Sequence, residues 1–266
     1  MQIYSRRSLQ VGVVIFMTIA LALPAQAATF SNASLKGSYS FLVNKWTANV
    51  NSYQGAQVGV VTFDGAGNVT ESYTAINGGV VQTVTDSGTY TVKSNGTATI
   101  NWKDGHQTAI TLNSTAAGLS HGVQVLSIDD NANEVISGTA WLQSTIAQTY
   151  GAASLKGNFA WQTSLWTADP NQSQMGAVGI FSFDGKGNVK GSWTSMVGGA
   201  LHTDTMTGTY TVNSDGTGVI SDNTHGSQVA FVLNNKPTLL GSAKGWQYLQ
   251  TNTSGNIVVC GTAVKQ

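Results

Sequence analysis

Tyr39, Phe41 and Val43 alternate with Ser38, Ser40 and Leu42, Tyr90 and Val92 with Thr89 and Thr91, and Ile100 and Trp102 with Thr99 and Asn101. A period of two puts one set of side chains on one face of an extended chain, so these segments predict half-buried β-strands. Between them stand Asp64-Gly65-Ala66-Gly67-Asn68, Asn95-Gly96, Asp104-Gly105 and Asp129-Asp130-Asn131-Ala132-Asn133. Asn-Gly and Asp-Gly tolerate the positive φ angles of tight hairpins, so each of these is a turn between antiparallel neighbours. No segment carries a helical period. An antiparallel meander of this kind leaves no exposed edge if it closes on itself, which predicts a β-barrel.

The pattern occurs twice. Ser34-Leu35-Lys36-Gly37-Ser38-Tyr39 returns as Ser154-Leu155-Lys156-Gly157-Asn158-Phe159, and Trp46-Thr47-Ala48 as Trp166-Thr167-Ala168, both displaced by 120 residues. The same offset carries Val58 to Val69 onto Val178 to Val189 with eight of twelve residues identical, and Gly88-Thr89-Tyr90-Thr91-Val92 onto Gly208-Thr209-Tyr210-Thr211-Val212. Ser137-Gly138-Thr139-Ala140 pairs with Cys260-Gly261-Thr262-Ala263 at an offset of 123. Solenoid repeats run to about 20 to 50 residues, so a period this long makes each copy a whole domain. The expected fold is therefore all-β, two tandem antiparallel meander barrels over residues 28–146 and 147–266. Each has about eight or nine strands of about 5 to 8 residues.

The Leu-Lys-Gly-x-aromatic opening, the Phe-Asp-Gly-x-Gly-Asn hairpin and the Gly-Thr-Tyr-Thr-Val-x-Ser-x-Gly-Thr hairpin resemble a set of secreted, largely uncharacterised bacterial tandem β-repeat proteins, across both copies. A weaker resemblance is to lipocalin-like and avidin-like barrels, which open with a short helical turn and a Gly-x-Trp strand. Here those positions read Gly37-Ser38-Tyr39 and Gly157-Asn158-Phe159. The resemblance implies a barrel fold and a secreted setting; it assigns no activity, since the barrel families bind varied ligands.

Export is also expected from the residues themselves. Arg6-Arg7, an apolar run from Val11 to Leu23, Pro24 and Ala25-Gln26-Ala27 form the charged, hydrophobic and small-residue regions of a signal peptide over residues 1–27. The run is shorter than the ~20 residues of a spanning helix. Both arginines lie within residues 1–27, so the remainder holds ten lysines against twelve acids. That balance gives no basic patch for a phosphate backbone and argues against nucleic acid as a partner. Glycine fills 30 of the 239 positions after residue 27 and charged residues are only 9% of the chain, a composition that excludes a helical bundle or coiled coil. Cys260 is the sole cysteine, so no intrachain disulfide forms.

Several constellations imitate chemistry. Gly118-Leu119-Ser120-His121-Gly122 fits the Gly-x-Ser-x-Gly pattern of hydrolase nucleophiles, but that elbow needs a helix after the serine and a strand follows here. Asp129, Asn131 and Asn133 begin like a calcium loop, yet Glu134 stands where that loop requires glycine. His202 and Asp204 share a strand face, and His106 and His225 fall in similar turns, without the three or four convergent ligands of a zinc site. Asp64 and Asp184 recur in Gly-flanked turns, where aspartate bonds to the backbone. Glu71 and Glu134, the two glutamates, have no counterparts in the other copy. No catalytic set, metal site or cofactor is expected.

The aromatics remain. Trp46 and Trp166 recur after the first strand of each copy and Tyr73 and Trp193 after the Gly-rich hairpin; Trp102, Trp141, Trp161 and Trp246 add further rings. Rings near strand ends can stack on sugars or line a barrel mouth, or they can fill a barrel whose interior about eight strands leave just wide enough for side chains. The expected function is a secreted, non-catalytic binding module for a small hydrophobic molecule or a glycan, with Trp46, Tyr73, Trp166 and Trp193 as ligand contacts. The alternative is a structural or adhesive surface protein, for which self-association is the mark. An enzyme of dirigent-like or hydrolytic type is the third class, and it lacks a coherent acid, base and nucleophile set. An outer-membrane barrel is set aside because the expected strands are shorter than the ~9 to 11 residues such barrels use.

Overall fold

The computed structural model describes residues 29–47, 55–113, 118–128, 134–144, 149–167, 175–235, 242–252 and 257–266, with the side chains of 47, 144, 164–167 and 257 left aside. The expected signal peptide and the Asp129 to Asn133 turn lie outside the described residues. The first repeat contributes β1 (Lys36–Thr47), β2 (Gly55–Asp64), β3 (Asn68–Asn77), β4 (Val80–Val92), β5 (Thr97–Trp102), β6 (Gln107–Leu112), β7 (Gly122–Ser127) and β8 (Glu134–Ser144). The second contributes β9 (Lys156–Thr167), β10 (Met175–Asp184), β11 (Asn188–Val197), β12 (Ala200–Val212), β13 (Thr217–Asp222), β14 (Gln228–Asn234), β15 (Gly245–Gln250) and β16 (Ile257–Lys265). Each set of eight pairs antiparallel with its sequence neighbours and closes, β8 on β1 and β16 on β9. Two tandem meander barrels are therefore present, with eight strands each.

The alternation read from the sequence is the in-and-out alternation of the barrel wall. Tyr39, Phe41, Val61, Phe63, Val69, Tyr90, Ile100 and Ile110 fill the first interior, and Phe159, Phe181, Phe183, Val189, Tyr210, Ile220 and Phe231 the second. A short 3-10 turn precedes β1 (Asn32–Ser34) and β9 (Ala152–Ser154) and stoppers one end. There Tyr90 donates its hydroxyl to the Leu35 carbonyl at 2.9 Å, and Tyr210 does the same to Leu155 at 2.9 Å. In both turns a leucine without exposed surface, Leu35 or Leu155, forms the floor of the barrel.

Strand length departs from expectation. β1 and β9 run 12 residues and β4 and β12 run 13. Gly88 sits within β4. A Cβ there would stand 2.3 Å from the Asn101 carbonyl oxygen, so the glycine admits the neighbouring strand instead of ending its own. Strand length is thus no argument against a membrane barrel, but the wall is. Its interior is packed mainly with apolar side chains while Ser38, Thr62, Thr70 and Thr89 face outward, whereas a membrane barrel carries a lipid-facing apolar band around a polar lumen. Among the described residues no helix is long and apolar enough to cross a membrane.

A third apolar cluster lies between the barrels. Leu42, Val58, Val60 and Ile76 on the outer wall of the first pack against Ala230, Val232, Leu249, Val258 and Cys260 on the outer wall of the second. Polar contacts frame it. Ser40 Oγ donates to Asn234 Oδ1 at 2.6 Å, the Cys260 thiol to Asn44 Oδ1 at 2.9 Å, and Gln143 Nε2 to the Leu233 and Asp215 carbonyls at 2.9 and 3.1 Å.

Candidate functional site

The two barrels share a wall and differ inside it. At equivalent strand positions Phe41 corresponds to Trp161, Val61 to Phe181, Tyr73 to Trp193, Ile110 to Phe231, Val123 to Trp246 and Val125 to Tyr248. Each of these six exchanges enlarges the side chain in the second barrel, while Trp102 gives way to the smaller Asp222. There the rings close on one another, Trp161 on Phe181 at 5.1 Å between centroids, Trp246 on Tyr248 at 5.0 Å and Trp246 on Phe181 at 5.6 Å. The plug has a cost, since the indole N–H groups of Trp161 and Trp246 are buried without an acceptor, about 1 to 3 kcal/mol each. In the first barrel the smaller residues leave a cavity of about 310 Å³, lined by Phe41, Val43, Val61, Tyr73, Val84, Trp102, Val125 and Ile136.

That cavity is acidic at one end. Glu71 on β3 and Asp86 on β4 are register partners, and both line it along with Asp104 and Glu134. Lys45 is the lysine of the lining, and its Nζ is held by Glu134 at 2.7 Å. His106 at the rim stands 3.8 Å from Asp104. Burial, then the charges of Asp86 and Asp104, push the Glu71 carboxyl up to about 8. The Tyr73 phenol is pushed up to about 12, chiefly by burial and next by Glu71. The second barrel has Gly191 opposite Met206 at the same place. A Cβ on Gly191 would stand 2.8 Å from Phe181 and 2.9 Å from Met206, so the enlarged ring has taken the space that Glu71 uses in the first barrel. Four aromatic side chains, Phe41, Phe63, Tyr73 and Trp102, share the cavity with these acids. Tyr73 meets Phe41 edge-on at 5.9 Å, and the Trp102 indole N–H is held by Thr108 Oγ1 at 3.0 Å.

The four aromatics proposed from the sequence do not form one site. Tyr73 lines the cavity. Trp193 occupies the equivalent inner position of the second barrel, against Trp161 at 6.0 Å and His225 at 5.7 Å. Trp46 follows Lys45 on β1 and takes the outward register, half-buried, away from the cavity lining. Trp166 pairs through its backbone with Val258, and its side chain lies outside the described residues. The sequence passed over Glu71, Asp86 and Trp102 as a group. Their signal was the mismatch between copies, an acid facing Gly191 and small residues facing large ones, which reads as drift until the wall is closed.

The other motifs have structural work. Ser120 is buried, its Oγ donates to the Gly122 carbonyl at 2.6 Å, and its own carbonyl accepts the Tyr39 hydroxyl at 2.7 Å. Asp64 Oδ1 accepts the Ala66, Gly67 and Asn68 amides at 2.7 to 2.9 Å, and with the Asn68 side chain these bonds hold its carboxyl down at about 2. Asp184 repeats the arrangement with Lys186 and Asn188. Asp204 meets His225, at 3.1 Å from Nε2, whereas His202 pairs across the sheet with Ser195. The Nδ1 of His225 lies 2.7 Å from Asp222, and that bond raises the imidazole's basicity. Burial at the inter-barrel cluster pushes the Cys260 thiol up to about 11.

No protein-family model matches the chain, and no curated protein matches it. Among solved structures, it is similar to a protein of unknown function from the DUF3598 family of Nostoc punctiforme, at 12% identity over 88% of this chain and 98% of that one with a TM-score of 0.27. It is likewise similar to the isotype 1 transferrin binding protein B of serogroup B Neisseria meningitidis, at 10% identity over 88% and 77% with a TM-score of 0.28. A putative AttH from Nitrosomonas europaea covers 90% and 97% at 11% identity and a TM-score of 0.24.

Proposed function

We propose that this is an exported, non-catalytic binding protein whose first barrel holds a small, largely apolar molecule carrying a cationic nitrogen. Export rests on the leader-like residues 1–27 and on the likeness of the hairpin motifs to secreted bacterial β-repeat proteins. The observation that carries the binding reading is the contrast within one chain, a cavity in one barrel where its duplicate is filled ring on ring. The volume falls at the low end of the ~300–1,000 Å³ of small-molecule sites, and an apolar wall with a few polar groups at one end is their usual make-up. The ligand's charge follows from the lining. Aromatic faces beside carboxylates attract an ammonium group through both the ring quadrupole and the charge, and Lys45 is already neutralised by Glu134. The second barrel serves as scaffold.

One observation favours a second reading. A carboxyl whose proton is held by burial and which faces a second carboxyl across the register is the arrangement of a general acid and base, so Glu71 and Asp86 would fit a proton-transfer enzyme.

Calorimetric titration separates these readings. The expected result is saturable binding of a phenylalkyl trimethylammonium probe, with no turnover of it. A carboxylate of the same shape and an oligosaccharide should not bind. Val61→Phe with Val123→Trp, which gives the first barrel the second's plug, should abolish the binding while the melting transition persists. Equal binding of the carboxylate probe, or retention of binding in the plugged variant, overturns the proposal.

A further inference from the structure

The interface between the barrels is heterologous. It joins the β1–β2 wall of one repeat to the β14–β16 wall of the other, which are different surfaces of the same fold. Because the chain is a duplication, each wall exists twice and only one copy of each is covered. Val58 is 3% exposed in the interface and its counterpart Val178 is 60% exposed. Val60 and Ile76 are buried there, while Ile180 and Met196, their counterparts on β10 and β11, are exposed. The other wall behaves the same way. Leu249 has no exposed surface and its counterpart Leu126 on β7 is 45% exposed; Val258 is buried and Val135 on β8 is exposed.

Apolar side chains exposed in this way on two separate walls need a reason, since most other solvent-facing strand positions are polar, with Val80, Trp141, Leu201, Val219 and Val264 the larger exceptions. We infer that they are the two halves of the same interface, and that a second copy of this chain docks head to tail, the β10–β11 wall of one molecule on the β6–β8 wall of the next. The occupant follows from continuity with the interface the molecule already contains: each exposed wall is the counterpart of a surface whose partner is known, and that partner is exposed on the same chain. Several exchanges weaken the intermolecular version, Ala56 to Gly176 and Cys260 to Ser137 among them. Leu42 becomes Gln162 and Val232 becomes Thr111, so association depends on concentration where the internal contact is permanent. A heterologous contact of this kind gives a closed ring if its rotation closes and a filament if it does not. The inference is independent of the ligand cavity, and it supplies the mark expected of a structural or adhesive surface protein.

Sedimentation velocity on the full chain tests it. The expected result is a weight-average mass that rises from monomer with concentration into the millimolar range. Val178→Lys with Ile180→Lys removes one wall and Leu126→Lys with Val135→Lys the other. These side chains are exposed, so both variants should keep the wild-type circular dichroism and melting curve, and each alone should stay monomeric. Mixed, they should form a one-to-one dimer and nothing larger, because one good wall remains on each. A wild-type protein that stays monomeric at millimolar concentration overturns the inference, as does association that survives either variant or a mixture that fails to pair.

Discussion

Glu71 on β3 and Asp86 on β4 stand directly opposite each other in the antiparallel register, and both line the interior of the first barrel. Like charges at opposed positions destabilise a sheet, and burial adds a desolvation penalty for the ionised form. The pair escapes most of this by keeping a proton on Glu71, whose carboxyl burial pushes to about 8. The duplicate avoids the cost with Gly191 and Met206. A fold that can dispense with the acids in one copy does not need them for folding in the other.

Stability should therefore fall as the solution becomes alkaline. Below about 4.5 the native and unfolded chains both hold the Glu71 proton. Between there and about 8 only the native chain holds it, so the native state binds more protons and loses stability as pH rises. The contribution is fully present below the lower value and gone above the upper one. Water reaching this half-buried group screens it to a magnitude of about 2 kcal/mol. Glu71→Gln should flatten urea-unfolding stability across this window and leave the variant the more stable at alkaline pH. An unchanged pH profile in the variant would remove Glu71 from the account.

Affinity for a cation should run the other way. A quaternary ammonium probe keeps its charge at every pH, and its best partner is the ionised Glu71, so binding must expel the proton. Affinity should rise by up to about tenfold per pH unit below about 8 and level off above it. In Glu71→Gln this steep rise with pH should be lost. Titration calorimetry in buffers of different ionisation enthalpy would also register the released proton; no proton release would show that the probe bypasses Glu71.

Much of this fold was legible in the sequence, because period two, Asp-Gly turns and a 120-residue offset are local or self-referential signals. Strand length was not. The stretch Thr83 to Gly88 has one apolar residue, Val84, and it is a strand because neighbouring strands supply its hydrogen bonds. The cavity was also hidden. It depends on the summed size of side chains from all eight strands, which meet only when the wall closes, so Val61, Val123 and Val125 look unremarkable one at a time. Tyr73 was found because a ring recurs at Trp193, and Glu71 was set aside because nothing recurs at Gly191. Repetition marks what both barrels need, whereas a site present in one barrel appears as the loss of repetition.

The plug of the second barrel should be stiff and costly to break. Trp246 has no exposed surface and touches Phe181, Phe183, Phe231 and Tyr248 at centroid distances of 5.0 to 5.9 Å. Trp246→Ala should cost the ~3 to 5 kcal/mol typical of a buried large aromatic. Tyr73→Ala should cost less, because that ring already borders open space and its loss enlarges an existing cavity. Urea denaturation of the two variants gives the comparison. Equal losses would mean that the first barrel is as tightly filled as the second.

The separated repeats should fold and then find each other. Each barrel closes its own hydrogen-bond ladder and has its own apolar cluster, so residues 28–146 and 147–266 expressed apart should both give β-sheet circular dichroism spectra. Domains of about 120 residues are well above the ~40 below which cross-links are usually needed. Each fragment, however, exposes a half of the third cluster, Leu42 and Val58 in one and Val232 and Leu249 in the other. Mixed, the two should form a one-to-one complex with a melting temperature above that of either fragment, since binding to the native state alone stabilises it. Val58→Asp in the first fragment should prevent the complex and leave its own fold intact. Failure of the fragments to fold apart would make the interface part of one cooperative core, and folded fragments that ignore each other would reduce it to a contact held only by the linking chain.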